Sequence, residues 1–481
     1  MVSKRGKTYF HVAIVLILMV GIGQLPAIEP VTPFGMQVLG IFAGMLYGWT
    51  FCSMIWTSLL GLLMLSLTGV YTTSEVFAMS FGNETVVFIM LMFVFTALLE
   101  KYGLSTWMAN WCISRKIVEG RPWLFSFILL LGSFFVGGFI NMFAAMVVFW
   151  GVIYAVSDKF GFKPYDKYPT LMIFGIAVAS LVGGAVPPYK LVPVVVLSAY
   201  SGISGETISF FQYICFALPV SLFIVVAYIL VCRFIFRPDI KELKNLRADF
   251  VNPEDLVLNR DKKLVLIFFA AFLLLLLAPG FLPQEWFLAK LLHKISAGGT
   301  VIVLIVLLHW IYSASEKKPM MDFNELAARG INWDIVIIMA AILPFTSILT
   351  SDSTGIKEFL STALIPLLSG MSPLMSMVML LLLATILTNF ANNVVIGAIF
   401  VSLILFVTGS MALDPMPFIA TLVICCSLAF LTPAGSPVTA FVFANHKWVK
   451  TGDIYKYASI FMCISFVITA VVGLIWASVI F

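Results

Sequence analysis

Apolar runs close to the length of a bilayer crossing follow one another along almost the whole chain, and they restrict the fold before any single residue is considered. A crossing helix rises about 1.5 Å per residue and needs roughly 20 apolar residues. Helices are expected near 9–24, 34–50, 52–70, 86–100, 169–200, 210–236, 264–280, 295–312, 333–350, 416–444 and 455–481. Of 481 residues, 62% are hydrophobic and 11% charged, where a soluble domain carries about a quarter charged. The expected class is an all-α polytopic membrane protein. Met1–Lys7 and Tyr9–Gly23 imitate a signal peptide but lack a small-residue cleavage site, so they read as a retained first helix.

Four of these apolar stretches are interrupted. Thr388-Asn389-Phe390-Ala391-Asn392-Asn393 divides 372–408, and Thr432-Pro433-Ala434-Gly435-Ser436-Pro437 breaks 416–444. The first half repeats both features more weakly, with Asn141 inside 122–157 and Gly183–Lys190 inside 169–200. Paired polar, Gly/Pro-broken segments in corresponding places of two halves mark a transporter site built from discontinuous helices. The arms of 122–157 and 372–408 run about 15–18 residues, short for full crossings, which favours two re-entrant hairpins. Two ordinary spans in each stretch would also return the chain to its starting side, so topology does not separate the two readings.

Basic residues set the orientation. Lys4, Arg5 and Lys7, then Arg115, Lys116 and Arg121, then Lys159, Lys163 and Lys167 fall on one side, with the seven basic residues of Arg237–Lys263 and with Lys317, Lys318, Arg329, Lys447, Lys450 and Lys456. That side is expected to be cytoplasmic and to hold the amino terminus, with Phe481 outside. The predicted plan has about 11 transmembrane helices plus the two hairpins. A first repeat spans 1–236, a charged cytoplasmic connector 237–263 and a second repeat 264–481. The hairpins enter from opposite sides, so the repeats have inverted topology. Ser105–Val118, with Trp107 and Trp111, reads as an amphipathic helix at the membrane surface.

A helix that stops inside the bilayer exposes free N–H groups at one end and free C=O groups at the other. The first attract an anion, and the second, with Asn and Thr oxygens, suit Na⁺. Asn141 and Asn393 can serve either, since an amide offers an acceptor and two donors; a lone buried Asn is as readily helix glue. The four histidines form no ligand spacing, and the seven cysteines have no CxxC framework, so neither an enzyme nor a structural metal or cofactor is expected. No basic tract suggests nucleic acid. Glu84, Glu100, Asp158, Asp334 and Asp352 fall near span ends, against a proton relay at mid-membrane.

The residues now quoted resemble the divalent anion/sodium symporter family (solute carrier 13-type) over essentially the whole chain. That family carries a Ser-Asn-Thr signature at each hairpin tip and a Pro-containing break in the helix after it. Thr388–Val394 resembles the second tip, with Asn393 as its central asparagine; Leu431–Pro437 resembles the break; Phe139–Met142 resembles the first tip, keeping only Asn141. The resemblance implies an elevator-type transporter, usually a homodimer, with Na⁺ as coupling ion. Carried over, the second sodium site uses Thr388, Ala391, Asn393 and Gly435. The substrate-facing set is Asn141, Met142, Lys190, Asn392, Asn393, Val394, Ser436 and Pro437.

The chain departs from the family at Ile140 and Met142, which offer no oxygen, and at Lys190, which stands where the family has a glycine facing the first sodium. Either the Lys190 ammonium replaces that sodium as a fixed cation, or Lys190 lies nearer the helix end and snorkels to the surface. Met142 and Val394 also remove two hydroxyl donors from the carboxylate site. The expected function is transport of a small organic anion across the cytoplasmic membrane, with a C4-type dicarboxylate first. A sodium-independent anion exchanger and a monocarboxylate transporter of the same fold are the alternatives.

Overall fold

A computed structural model describes residues 4–114, 116–245, 256–349, 351–356, 358–359, 362 and 371–481. Among these the chain is helical, and its one β pairing is an isolated Tyr312–Pro319 bridge. Three helices lead in, α1 (Lys4–Gly21), α2 (Pro33–Phe51) and α3 (Met54–Leu67). A pair bent by 55° follows, α4 (Thr73–Met79) and α5 (Glu84–Lys101), then the short α6 (Leu104–Ile113). Next come a helical hairpin, α7 (Pro122–Phe139) and α8 (Met142–Phe160), a broken helix, α9 (Lys167–Gly183) and α10 (Leu191–Ser204), and the long α11 (Phe210–Val231).

The same order then returns. After α12 (Arg260–Leu277) and α13 (Phe287–Trp310) comes a pair bent by 78°, α14 (Phe323–Gly330) and α15 (Trp333–Leu349). A second hairpin, α16 (Pro373–Leu387) and α17 (Asn393–Met411), precedes a second broken helix, α18 (Met416–Ser427) and α19 (Pro437–Ala444). The chain closes with α20 (Thr451–Ile468) and α21 (Leu474–Ile480). By length and composition, seven of the described helices are able to cross a membrane, or nine if each bent pair is one span. This is a multi-pass membrane protein.

The helix boundaries follow from local chemistry. Thr32, Asn83, Asn141, Asn392 and Ser436 each accept a hydrogen bond from the first turn that follows, at the starts of α2, α5, α8, α17 and α19. Thr72 and Glu75 form a reciprocal capping box at α4. Pro33, Pro373 and Pro437 stand at first helical positions, where the missing N–H costs nothing.

The first arm of each broken helix is apolar on every side and lies at the centre of its half. Every residue of α9 from Tyr168 to Gly183 is buried, as is every residue of α18 from Phe418 to Ser427. Around α9, Ser133 of α7 reaches Ser180 at 2.8 Å and the Ile176 carbonyl at 3.0 Å, Trp150 of α8 donates to the Ile173 carbonyl, and Tyr228 of α11 donates to the Leu171 carbonyl. Gly138 and Gly183 bring the ends of α7 and α9 together so closely that a Cβ on Gly138 would lie 2.5 Å from the Gly183 carbonyl oxygen.

Several expectations are corrected. The hairpin arms hold 18, 19, 15 and 19 residues, close to the 15–18 expected, with α8 running on through Asp158 and Lys159 to Phe160. α13 is broken at Ser296 (φ 60°), so that the stretch after the break, up to Trp310, matches the span expected at 295–312, and the helical residues from Phe287 before it are an addition. The surface helix over 105–118 is shorter, ending at Ile113, and α4 and α14 were not anticipated. Of the connector 237–263, residues 246–255 lie outside the described residues, as do Arg115 and position 350.

One buried carboxylate fastens the start of α12. Asp261, 2% exposed, accepts hydrogen bonds from Ser313 Oγ (2.6 Å), Ala314 N (3.0 Å), Ser315 N (3.2 Å) and Ser315 Oγ (2.9 Å). Asp261→Ala strands these donors and is expected to cost about 2–4 kcal/mol. A thermal unfolding midpoint unchanged from wild type would contradict this.

Candidate functional site

The second hairpin tip is stitched to the second break by Asn389. This fully buried amide donates from Nδ2 to the carbonyls of Thr385 (2.8 Å) and Leu428 (3.1 Å), and its Oδ1 accepts from Leu431 N at 2.7 Å. The Thr432 hydroxyl donates to the Asn389 carbonyl, and the Thr388 hydroxyl donates to the Cys426 carbonyl at 3.1 Å. Gly435 lies against the tip so tightly that a Cβ there would sit 2.7 Å from the Thr388 carbonyl oxygen. Past the break, Ser436 and Thr439 both donate to the Ala429 carbonyl (3.2 and 2.6 Å), turning the start of α19 back onto the end of α18.

The first tip meets the first break in the same manner with different groups. The last carbonyls of α7 receive the Tyr189 hydroxyl, at 3.0 Å on Phe139, and the Lys190 ammonium, at 2.7 Å on Ile140. Asn141 Oδ1 accepts from Phe143 N (2.9 Å) and Ala144 N (3.1 Å), and the Met142 side chain covers Gly184.

The two halves are cross-connected. Phe441 of α19 stacks on Trp150 of α8 with ring centroids 5.1 Å apart and meets Phe143 at 6.0 Å, and Asn445 donates to Tyr154 at 2.8 Å. Phe441 and Asn445 thus meet Trp150 and Tyr154 in the same order along the two segments, so α8 and α19 run in the same direction where they touch. On the other side α10 packs against α17, where Gly397 faces Val196. The first tip is thus fastened to the first break and the second tip to the second break, while the helices that follow, α8 with α19 and α10 with α17, join the two halves. Four helices, α8, α10, α17 and α19, begin at these two junctions, and four, α7, α9, α16 and α18, end at them. N-termini bring positive potential for an anion, and C-termini bring carbonyl oxygens for a cation.

Of the expected sodium-site residues, Thr388 and Gly435 are brought into contact. Ala391 is half-buried at the tip apex, and Asn393 opens α17. Asn393 is 7% exposed, yet its side-chain amide has no protein partner among the described residues. The amide is not among the fully enclosed side-chain atoms that lack a partner, so it still reaches the surface and can meet a ligand through its acceptor and two donors. Asn392 spends its oxygen on the Val394 N–H at 3.0 Å, so by cap position Asn141 corresponds to Asn392 and not to Asn393. Val394 and Ser436 are buried, Asn141, Met142, Lys190 and Asn392 are half-buried, and Pro437 is exposed. Sequence reasoning marked Asn389 among the tip asparagines and Tyr189 within the first break but assigned neither a role.

A many-span helical protein with two helical hairpins and two broken helices, whose half-helix ends meet at paired junctions, has the build of a secondary transporter. Comparison with known proteins agrees. The chain belongs to the citrate transporter family, whose sequence model matches residues 46–393, in keeping with the symporter resemblance of the tips and breaks. The sodium-dependent dicarboxylate transporter SdcS of Staphylococcus saprophyticus is 24% identical over 412 residues, 81% of this chain and 76% of that one. Its counterpart in Staphylococcus aureus is 20% identical over 403 residues, with the same coverage. Among solved structures, the Alcanivorax borkumensis YdaH transporter shares the fold at a TM-score of 0.58 and 13% identity, over 98% of both chains. Neisseria gonorrhoeae MtrF does so at 0.55 and 12%, over 98% of this chain and 94% of its own.

Proposed function

We propose that the chain is a secondary active transporter that carries a small organic anion, a C4-type dicarboxylate first among candidates, across the cytoplasmic membrane together with Na⁺. The observation that carries this reading is the unpartnered Asn393 amide at the start of α17, beside the Thr388–Gly435 contact. Thr388, Ala391, Asn393 and Gly435 hold Na⁺ through side-chain and backbone oxygens. Asn141, Asn392, Asn393, Val394, Ser436 and Pro437, with Met142 and Lys190, surround the anion. Charge supports the pairing: the N-termini of α8, α10, α17 and α19 favour carboxylates, and a bound cation offsets the second negative charge. The names of the Staphylococcus relatives point to the same substrate class and ion.

The finer architecture belongs to the same proposal. The hairpins α7–α8 and α16–α17 are re-entrant, 1–236 and 264–481 are inverted repeats, and the amino terminus is cytoplasmic. The hairpins and broken helices move against the remaining helices as an elevator within a homodimer. Uptake into proteoliposomes of succinate, citrate, sulfate and a simple monocarboxylate, with and without an inward Na⁺ gradient, tests the function. Succinate accumulation that requires Na⁺ is the expected result. Accumulation driven only by internal anion would favour a sodium-independent exchanger, and uptake of the monocarboxylate alone would replace the dicarboxylate.

A further inference from the structure

The two tip-and-break junctions hold different things in corresponding places. In the second, the residue capping α19, as Lys190 caps α10, is the uncharged Ser436, and Gly435 before it contributes backbone alone next to the Thr388 carbonyl, leaving oxygens with no positive charge from the protein. In the first, the break contributes the Lys190 side chain, whose ammonium lies 2.7 Å from the Ile140 carbonyl at the end of α7. Ile140 and Met142 bring no side-chain oxygen to that tip, so the cation there is met by the backbone. Snorkelling requires the ammonium to leave for water, whereas Lys190 is half-buried and turned back onto the tip. The neighbouring Tyr189 fixes it there, its hydroxyl on the Phe139 carbonyl at 3.0 Å and its ring 5.4 Å from that of Phe272 on α12.

Resting on the transport reading above, we propose that the Lys190 ammonium is a tethered cation filling the first junction, so that the chain takes up one Na⁺ fewer than it has junctions. A helix C-terminus presents carbonyl dipoles to any cation, free or covalently held. A free ion leaves on each release step, whereas an ammonium returns with the carrier. The Na⁺ requirement therefore belongs to the second junction alone.

Binding of ²²Na⁺ to purified protein tests this without knowledge of the substrate. Wild type is expected to bind one ion per chain. The variant Lys190→Gly with Ile140→Ser and Met142→Thr, which removes the ammonium and supplies tip oxygens, is expected to bind one more than wild type. A monodisperse variant with the same count as wild type overturns the proposal. A wild type that binds none counts against the second-half site only, because the gain is read as a difference. Should the triple variant not fold, Lys190→Met and Lys190→Arg decide. Losing a buried charge partner predicts an uptake drop of about 30-fold or more in Lys190→Met, with Lys190→Arg recovering most of it. Wild-type uptake by Lys190→Met overturns the proposal equally.

Discussion

Gly435→Ala is expected to weaken Na⁺ activation of uptake by about 10- to 100-fold, corresponding to about 1.4–2.8 kcal/mol, while leaving the protein folded. A Cβ at this position would lie 2.7 Å from the Thr388 carbonyl oxygen, 3.2 Å from the Asn389 Cα and 3.3 Å from the Ala429 Cβ. The first two are backbone atoms, and no flexible side chain is available to give way. Overpacking of this kind costs about 1–3 kcal/mol, and here the strain separates the tip from the break. Thr388 and Gly435 supply oxygens to the proposed cation from the two sides of that contact, so the strain appears as lost Na⁺ affinity. Uptake measured against Na⁺ concentration gives the shift, and the melting temperature of the purified variant gives the general cost. An unchanged half-saturating Na⁺ concentration would remove Gly435 from the cation site.

Sequence reading found the breaks and tips because they violate a local rule. Clustered glycine, proline and asparagine in the middle of an apolar run disfavour an ordinary crossing helix, and α9–α10 and α18–α19 part at such clusters, whereas single prolines at Pro219 and Pro344 stay inside α11 and α15. Lys190 stood out for the same reason, as a charge inside an apolar stretch. What the lysine reaches was not legible, because the Ile140 carbonyl lies 50 residues away and depends on how α7 packs on α9. The roles of the three tip asparagines were equally closed to inspection. All have the same side chain within five positions, yet one is a staple, one a helix cap and one unpartnered. The kink at Ser296 breaks no rule of composition, since serine is not a residue that favours positive φ. The length of α8 was underestimated because charged residues at a helix end can extend past the apolar region.

Asn389→Ala is expected to be the most damaging single change at the second tip. The amide serves three elements at once: Thr385 on α16, Leu428 and Leu431 in the break, and Met462 on α20, whose sulfur lies 3.3 Å from Nδ2. Alanine leaves the Leu431 N–H and the Leu428 carbonyl without this partner, at about 1–3 kcal/mol for each orphaned group. A loss of about 3–5 kcal/mol follows for the packing of tip on break, if the two groups are not rescued by rearrangement. Asn389→Asp keeps an acceptor for Leu431 but presents negative charge to two carbonyls, so it is expected to fail as well. Asn392→Ala removes only a cap, worth about 1 kcal/mol, and provides the comparison. The expected order in melting temperature and in Na⁺-driven uptake is wild type, then Asn392→Ala, then both Asn389 variants, which show no measurable transport. If Asn389→Ala and Asn392→Ala were equally mild, the tip would be held by its helices alone, and the amide network would have no part in aligning Thr388 with Gly435.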